Sequence, residues 1–400
     1  MHMHRTLWLA AGLCAGSAPA LTAQVELRAI WGTSTTDIWV VGEAPAALHW
    51  DGQAWNEMPF GVSRPGTLYG VWASGPHDVF AVGDGGAVLH FDGGGWTRMN
   101  VPTDRQLVAV AGRAANDVYA LGQSSNDREA PQLLHYDGRA WTASPLPLPF
   151  RANALALAGR EVVVAGFVYY DPQPNQRRQV GVVARWNGAG WTTAGWDGQK
   201  TSDPVAGAAG WTNLSAAGGS LLLFGEREDG TKAIVASNGG AWSLLPPAAS
   251  AMTRTQVKWV TLAGDATPIA LYEGGGFARF AGGRWAVVSA QADMMRALYG
   301  QQAQPGATAE QQQQAAQQQQ QLMAQLQANP MMMAVRMQAF DMSRALAVWG
   351  TSARDFYVTT GEGRVIHVAG DQATIAYDAA CSDPASAGMN PICQALQAKQ

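Results

Sequence analysis

Residues 27–58 read LRAIWGTSTTDIWVVGEAPAALHWDGQAWNEM, and the phrase is written again at 68–99 as LYGVWASGPHDVFAVGDGGAVLHFDGGGWTRM. A third version, LVAVAGRAANDVYALGQSSNDREAPQLLHYDGRAWTAS, fills residues 107–144. Each copy holds four short apolar runs rich in Val, Trp, Phe and Leu, types that suit a pleated, half-buried surface. Asp-Gly or Asn-Gly separates the third run from the fourth, at Asp51-Gly52, Asp92-Gly93, Asp137-Gly138, Asn187-Gly188 and Asn238-Gly239. Such pairs between apolar runs mark a hairpin, because both residue types tolerate positive φ.

A tryptophan follows each of these breaks at a fixed offset, at Trp55, Trp96, Trp141, Trp191 and Trp242, and Trp285 follows Gly282-Gly283, to which the break decays in a sixth copy. The offset inside the unit is constant while the length between units varies. That combination means a fixed four-stranded sheet with variable loops. Tandem units of about 40 residues, each of four strands, predict propeller blades. A seventh copy spans residues 345–370, where Trp349-Gly350-Thr351-Ser352 repeats Trp31-Gly32-Thr33-Ser34. Here Ala373 stands where the post-turn Trp is expected.

The reading is therefore an all-β, seven-bladed propeller of four-stranded blades. Blades 1–6 occupy residues 24–290 and blade 7 residues 345–378. Both terminal copies hold four strands, so a strand exchanged between the chain ends is not needed to close the ring. The pattern WGxSxxDxxxVGxxGxxLHxDGxxW resembles the repeats of secreted bacterial β-propellers of the Kelch-like, sialidase-like and photosystem-assembly-factor-like kinds. The resemblance covers residues 27–290 and 345–377. It implies the fold and leaves the activity open, because propellers host many unrelated functions.

Charged residues make up 14% of the chain and the formal net charge is −4. That balance gives no reason to expect nucleic acid as a partner. Residues 1–23 read as a signal peptide, with MHMHR as the basic start and an apolar, small-residue stretch behind it. No other run is long and apolar enough to span a bilayer. The expected location is periplasmic or secreted. Cys381 and Cys393 remain after cleavage, and in an oxidising compartment they are most simply a disulfide holding the tail 379–400.

Residues 291–344 break the repeat. They are rich in Gln, Ala and Met, which favour helix, and Pro330 divides them. The expectation is a helical insert between blades 6 and 7, with Leu322, Met323 and Leu326 along one edge and Met333, Met337 and Phe340 along another. The alternative is a low-complexity surface loop.

Functional candidates are sought where the copies differ. The loops between second and third strands are long in blades 3 to 5. They carry Asp127 and Arg128, then Tyr169, Tyr170, Asp171, Arg177 and Arg178, then Glu226 and Arg227. Loops above a rigid scaffold carry function, and Tyr and Arg anchor binding patches. His49, His90, His135 and His367 recur once per blade, on separate sheets, too far apart to share one metal ion. Asp37, Asp78, Asp117 and Asp355 also recur, and are expected to cap their own turns through backbone N–H groups.

The sequence thus predicts a non-enzymatic scaffold that binds a protein or glycan in the cell envelope or outside the cell, without metal or cofactor. The alternative is a glycoside hydrolase or lyase with Glu43, Asp84, Glu226, Glu273 and Glu362 around the central opening.

Overall fold

The computed structural model describes residues 25–288 except 44–45, 62–65, 124–128, 172–177, 196–207, 228, 240, 249–256 and 274–275, together with 317, 342, 344–382 and 391–397. Seven four-stranded sheets are present, each with its strands in sequence order. All pairings are antiparallel and join neighbours in the chain, as in blade 1, where Trp31 faces Trp39, Trp39 faces His49 and Trp50 faces Trp55. Among the described residues no strand is exchanged between the first and last blades. The expected signal peptide and helical insert lie outside the described residues, apart from Gln317, Met342 and Arg344.

The apolar core is divided into seven wedges, one at each junction between neighbouring blades. Each post-turn Trp serves the wedge it shares with the preceding blade. Trp96 meets Trp39 at 5.9 Å and Phe60 at 5.5 Å, and Trp141 meets Phe80 at 6.3 Å. Trp55 closes the ring by packing beside Tyr357 and Tyr377 of blade 7.

Blade 7 has Ala373 at this register, opposite Val368, so the junction of blades 6 and 7 lacks its indole. The chain tail fills the gap. Helix α1, Pro391–Gln397, buries Ile392 and Cys393 against Ala373, Ile375, Phe277 and Val288, with Leu396 packed beside them. The expected disulfide, Cys381–Cys393, ties this helix to the turn that follows the last strand.

Next to the axis the Trp-Gly dipeptide has a defined use. The indole of Trp349 lies on Gly32 of blade 1, where a Cβ would come within 2.5 Å of the ring. Trp72 covers Gly112 of blade 3 in the same way, at 2.6 Å. Between them, Trp31 donates its N–H to the Ala73 carbonyl of blade 2 at 3.1 Å. Each tryptophan therefore needs a small residue one blade further on.

Candidate functional site

The recurring Asp and His residues form one device. His49 Nε2 lies 2.8 Å from Asp37, and His90, His135 and His367 repeat the contact with Asp78, Asp117 and Asp355 at 2.7, 2.8 and 2.7 Å. Three of the imidazoles also stack on the aromatic residue opposite them on the second strand, and His90 lies tilted against Phe80 at 4.5 Å. Trp39 and His49 are 4.0 Å apart, Tyr119 and His135 4.4 Å, and Tyr357 and His367 4.2 Å. Asp37 receives further bonds from the Thr33 hydroxyl and the Trp39 indole. Burial pushes its carboxyl up, but the bonds from His49, Thr33 and Trp39 outweigh that and hold it below the usual carboxylate range. Asp117 behaves alike, with His135 and Arg113 overcoming burial.

This corrects the turn-capping expectation, because these carboxylates bind side chains across the sheet rather than backbone of their own turn. Backbone capping falls to the Asp of the later hairpin. Asp51 accepts the N–H groups of Gln53 and Ala54, both at 2.8 Å, and Asp92 accepts those of Gly94 and Gly95. The error has a physical reason: the hairpin brings residues twelve apart, or eighteen apart in blade 3, onto facing strands, which single-strand reading does not reveal.

The loops between second and third strands share a face with the connections between blades, since consecutive strands are antiparallel. On that face the hairpin of blade 4 stands out. Its strands, Glu161–Tyr170 and Arg178–Trp186, pair without interruption from Val162↔Trp186 to Tyr170↔Arg178. In blade 1 the corresponding pairing covers Ile38 to Val40. Tyr169 is 38% exposed near the hairpin's end, with Phe167 edge-on at 5.3 Å. Phe167 leans towards Gly210 on the first strand of blade 5. Asp171 and Arg178 are exposed beside it. Asp127, Arg128 and Arg177 lie outside the described residues, as does the side chain of Tyr170. In blade 5, Glu226 pairs with Lys232 at 2.6 Å, and Arg227 is half-buried.

The five carboxylates of the hydrolase reading are spread around the ring. Glu43 bonds to Arg28 at 2.9 Å, and Glu362 bonds to Arg364 at 2.9 Å. Asp84 accepts the Thr67 N–H and the Gln106 amide, each at 3.0 Å. Glu226 is held by Lys232, and Glu273 is exposed.

The central opening contains a cavity of about 290 Å³, lined by the first strands of all seven blades. Among the described residues no Asp, Glu, His, Lys or Arg lines it. One register decides its character. The residues facing Trp39, Phe80 and Tyr357 are Trp31, Trp72 and Trp349. In blades 3 to 6 the same register holds Ala111, Ala156, Ser215 and Thr261. One arc of the wall is therefore indole and the other small or hydroxylic. Sequence reading passed over this asymmetry, although the Trp present at this place in the first, second and seventh copies and missing from the others signals it.

On the second arc the blades are joined by polar side chains. Asn153 donates to the Trp211 carbonyl at 2.9 Å, and Asn213 to the Val260 carbonyl at 2.7 Å. Ser215 accepts the Leu262 N–H at 2.9 Å. Among the described residues no cluster of His, Cys, Asp and Glu could hold a metal ion.

The chain is similar in fold to YCF48 solved bound to a D1 peptide, with a TM-score of 0.54 and 10% identity over 87% of this chain and 93% of that one. It is also similar to YCF48 from Cyanidioschyzon merolae, with a TM-score of 0.46 and 12% identity over 67% and 86% of the two chains. The WD40 propeller domain of Doa1 gives a TM-score of 0.49 and 9% identity over 86% and 92%. At such identities the likeness to the peptide-bound YCF48 defines a class, the β-propellers. No family model matches the chain, and no curated protein matches it in sequence.

Proposed function

We propose that this chain is a non-enzymatic β-propeller scaffold that binds a protein partner outside the cytoplasm. The observation that carries the reading is the overlong hairpin of blade 4, which presents Tyr169 beside Phe167 on the face bearing the variable loops. A tyrosine held on a paired ribbon offers apolar area and a hydroxyl at little cost in chain entropy, the character of an interface anchor. Arg178 and Asp171 beside it, and the Glu226–Lys232 pair of blade 5, supply a polar rim. The fold likeness to a YCF48 solved with a D1 peptide supports a propeller as platform for a protein segment. The apolar stretch at the N-terminus and the Cys381–Cys393 disulfide support an oxidising location. The hydrolase alternative has weaker support, because no carboxylate lines the central cavity among the described residues.

A photo-crosslinking residue at position 169 tests the reading. It should give one dominant adduct in extract from the source cells, whereas the same probe at Leu244, exposed on the outer rim of blade 5, should not. Equal labelling from both positions, or none from 169, overturns the assignment. Sequencing the N-terminus of the processed chain checks location: it should begin near residue 24.

A further inference from the structure

The central cavity is built for a ligand distinct from the proposed protein partner. Its lining reaches Ala217, Gly264 and Gly350, at the ends of the first strands. Those ends lie on the face opposite the blade 4 hairpin. At about 290 Å³ it is close to the lower end of the range for small-molecule pockets. Trp31, Trp72 and Trp349 tile one arc, each resting on the next blade.

Across from them stand the hydrogen-bonding groups. Ser215 accepts the Leu262 N–H and keeps its hydroxyl proton to donate. Asn213 spends its amide N–H on Val260 and keeps an oxygen that can accept. Thr261 adds a hydroxyl. Trp259 also lines this arc with its ring, but its indole N–H is sealed from the cavity.

The ligand must match both arcs. A charged one would be desolvated without a counter-charge, because the lining carries none among the described residues. A purely apolar one would leave the Ser215 hydroxyl proton and the Asn213 oxygen without partners. A neutral sugar ring has both characters, with C–H faces that lie on indoles and hydroxyls at its edge. The geometry points to the central cavity as a binding site for a single neutral saccharide ring, its C–H face on Trp31, Trp72 and Trp349 and its hydroxyls towards Asn213, Ser215 and Thr261.

Saturation-transfer NMR on the full chain tests this with N-acetylglucosamine, methyl β-glucoside, glucuronate and choline as probes. One or both neutral sugars should receive saturation, and glucuronate and choline should not. Ala156→Trp then fills the cavity. It puts into blade 4 the residue that blades 1, 2 and 7 carry at that register, above Ala216, the small residue waiting in blade 5. Its melting temperature should be at least that of the parent, and sugar saturation should vanish. Ser215→Leu is the second variant, removing the hydroxyl from the opposite arc with the same expected loss. Three outcomes overturn the inference: no transfer to either neutral sugar, transfer to choline instead, which would make the indoles a cation cage, or sugar transfer that survives both variants. None of them bears on the crosslink at Tyr169, which reports the other face.

Discussion

Blades 7, 1 and 2 and blades 4, 5 and 6 solve one packing problem by different chemistry. In the first group an indole lies on a glycine or alanine of the next blade, and an Asp–His pair braces each sheet. In the second, Asn153, Asn213 and Ser215 bind backbone groups of the next blade. The His register is there filled by Arg185, Ala236 and Arg279. Arg185 lies 4.7 Å over the Trp242 ring of blade 5, and Arg279 binds the carbonyls of Ala353 and Gly370 in blade 7. Where the repeat is kept, the bracing bond stays inside the blade. Where it is lost, longer side chains reach across the junction. The polar solution uses little volume near the axis, which leaves the cavity lopsided.

The largest expected effect is at the junction where the repeat fails. Ending the chain after Ser382 removes Ile392, Leu396 and the disulfide together, a loss of roughly 3–5 kcal/mol from an exposed wedge and an opened loop. Adding Ala373→Trp to the truncated chain should recover a large part of its melting temperature. If it recovers nothing, the tail does not stand in for the missing indole.

Next comes the small residue under each tryptophan. Gly32→Val drives a side chain into the Trp349 ring and should cost about 1–3 kcal/mol by denaturant melts. Leu157→Val, at the same register in blade 4, should cost less than about 1.5 kcal/mol, because no tryptophan rests there. Equal costs would erase the contrast between the two halves.

The Asp–His brace should show smaller effects with a pH signature. Asp37→Asn should lose about 1–3 kcal/mol at pH 7. Glu161→Gln in blade 4, whose partly exposed bond to Arg185 is 3.5 Å long, should lose less than about 1 kcal/mol. A carboxyl held below its unfolded value stabilises the fold above that value and ceases to as pH falls through the lowered one. The gap between parent and Asp37→Asn should therefore close as the pH drops below about 4, in urea melts at pH 7 and pH 3. A gap that persists in acid would assign the loss to packing. Smallest of all, Tyr169→Ala should leave stability within about 0.5 kcal/mol. Partner capture should still fail.

The repeat period and the hairpin pairs were enough to place seven blades and their strand order, because both are local and written once per blade. Cys381 and Cys393 were likewise paired correctly from proximity and context. The role of Asp37 and its counterparts was misread, since a bond between facing strands depends on register. The environment of the candidate residues was not legible from sequence, because it depends on neighbours brought by the fold: Tyr169 is exposed, whereas Glu43, Asp84, Glu226 and Glu362 are engaged with neighbours.

By itself the sequence determined the blade, because strand, turn and Trp each answer to a spacing inside forty residues. Only the tertiary structure decided what lies between blades. The helix that replaces a missing tryptophan, the indoles that need a glycine one blade away, and the uneven wall of the central cavity depend on residues that meet only when the ring closes.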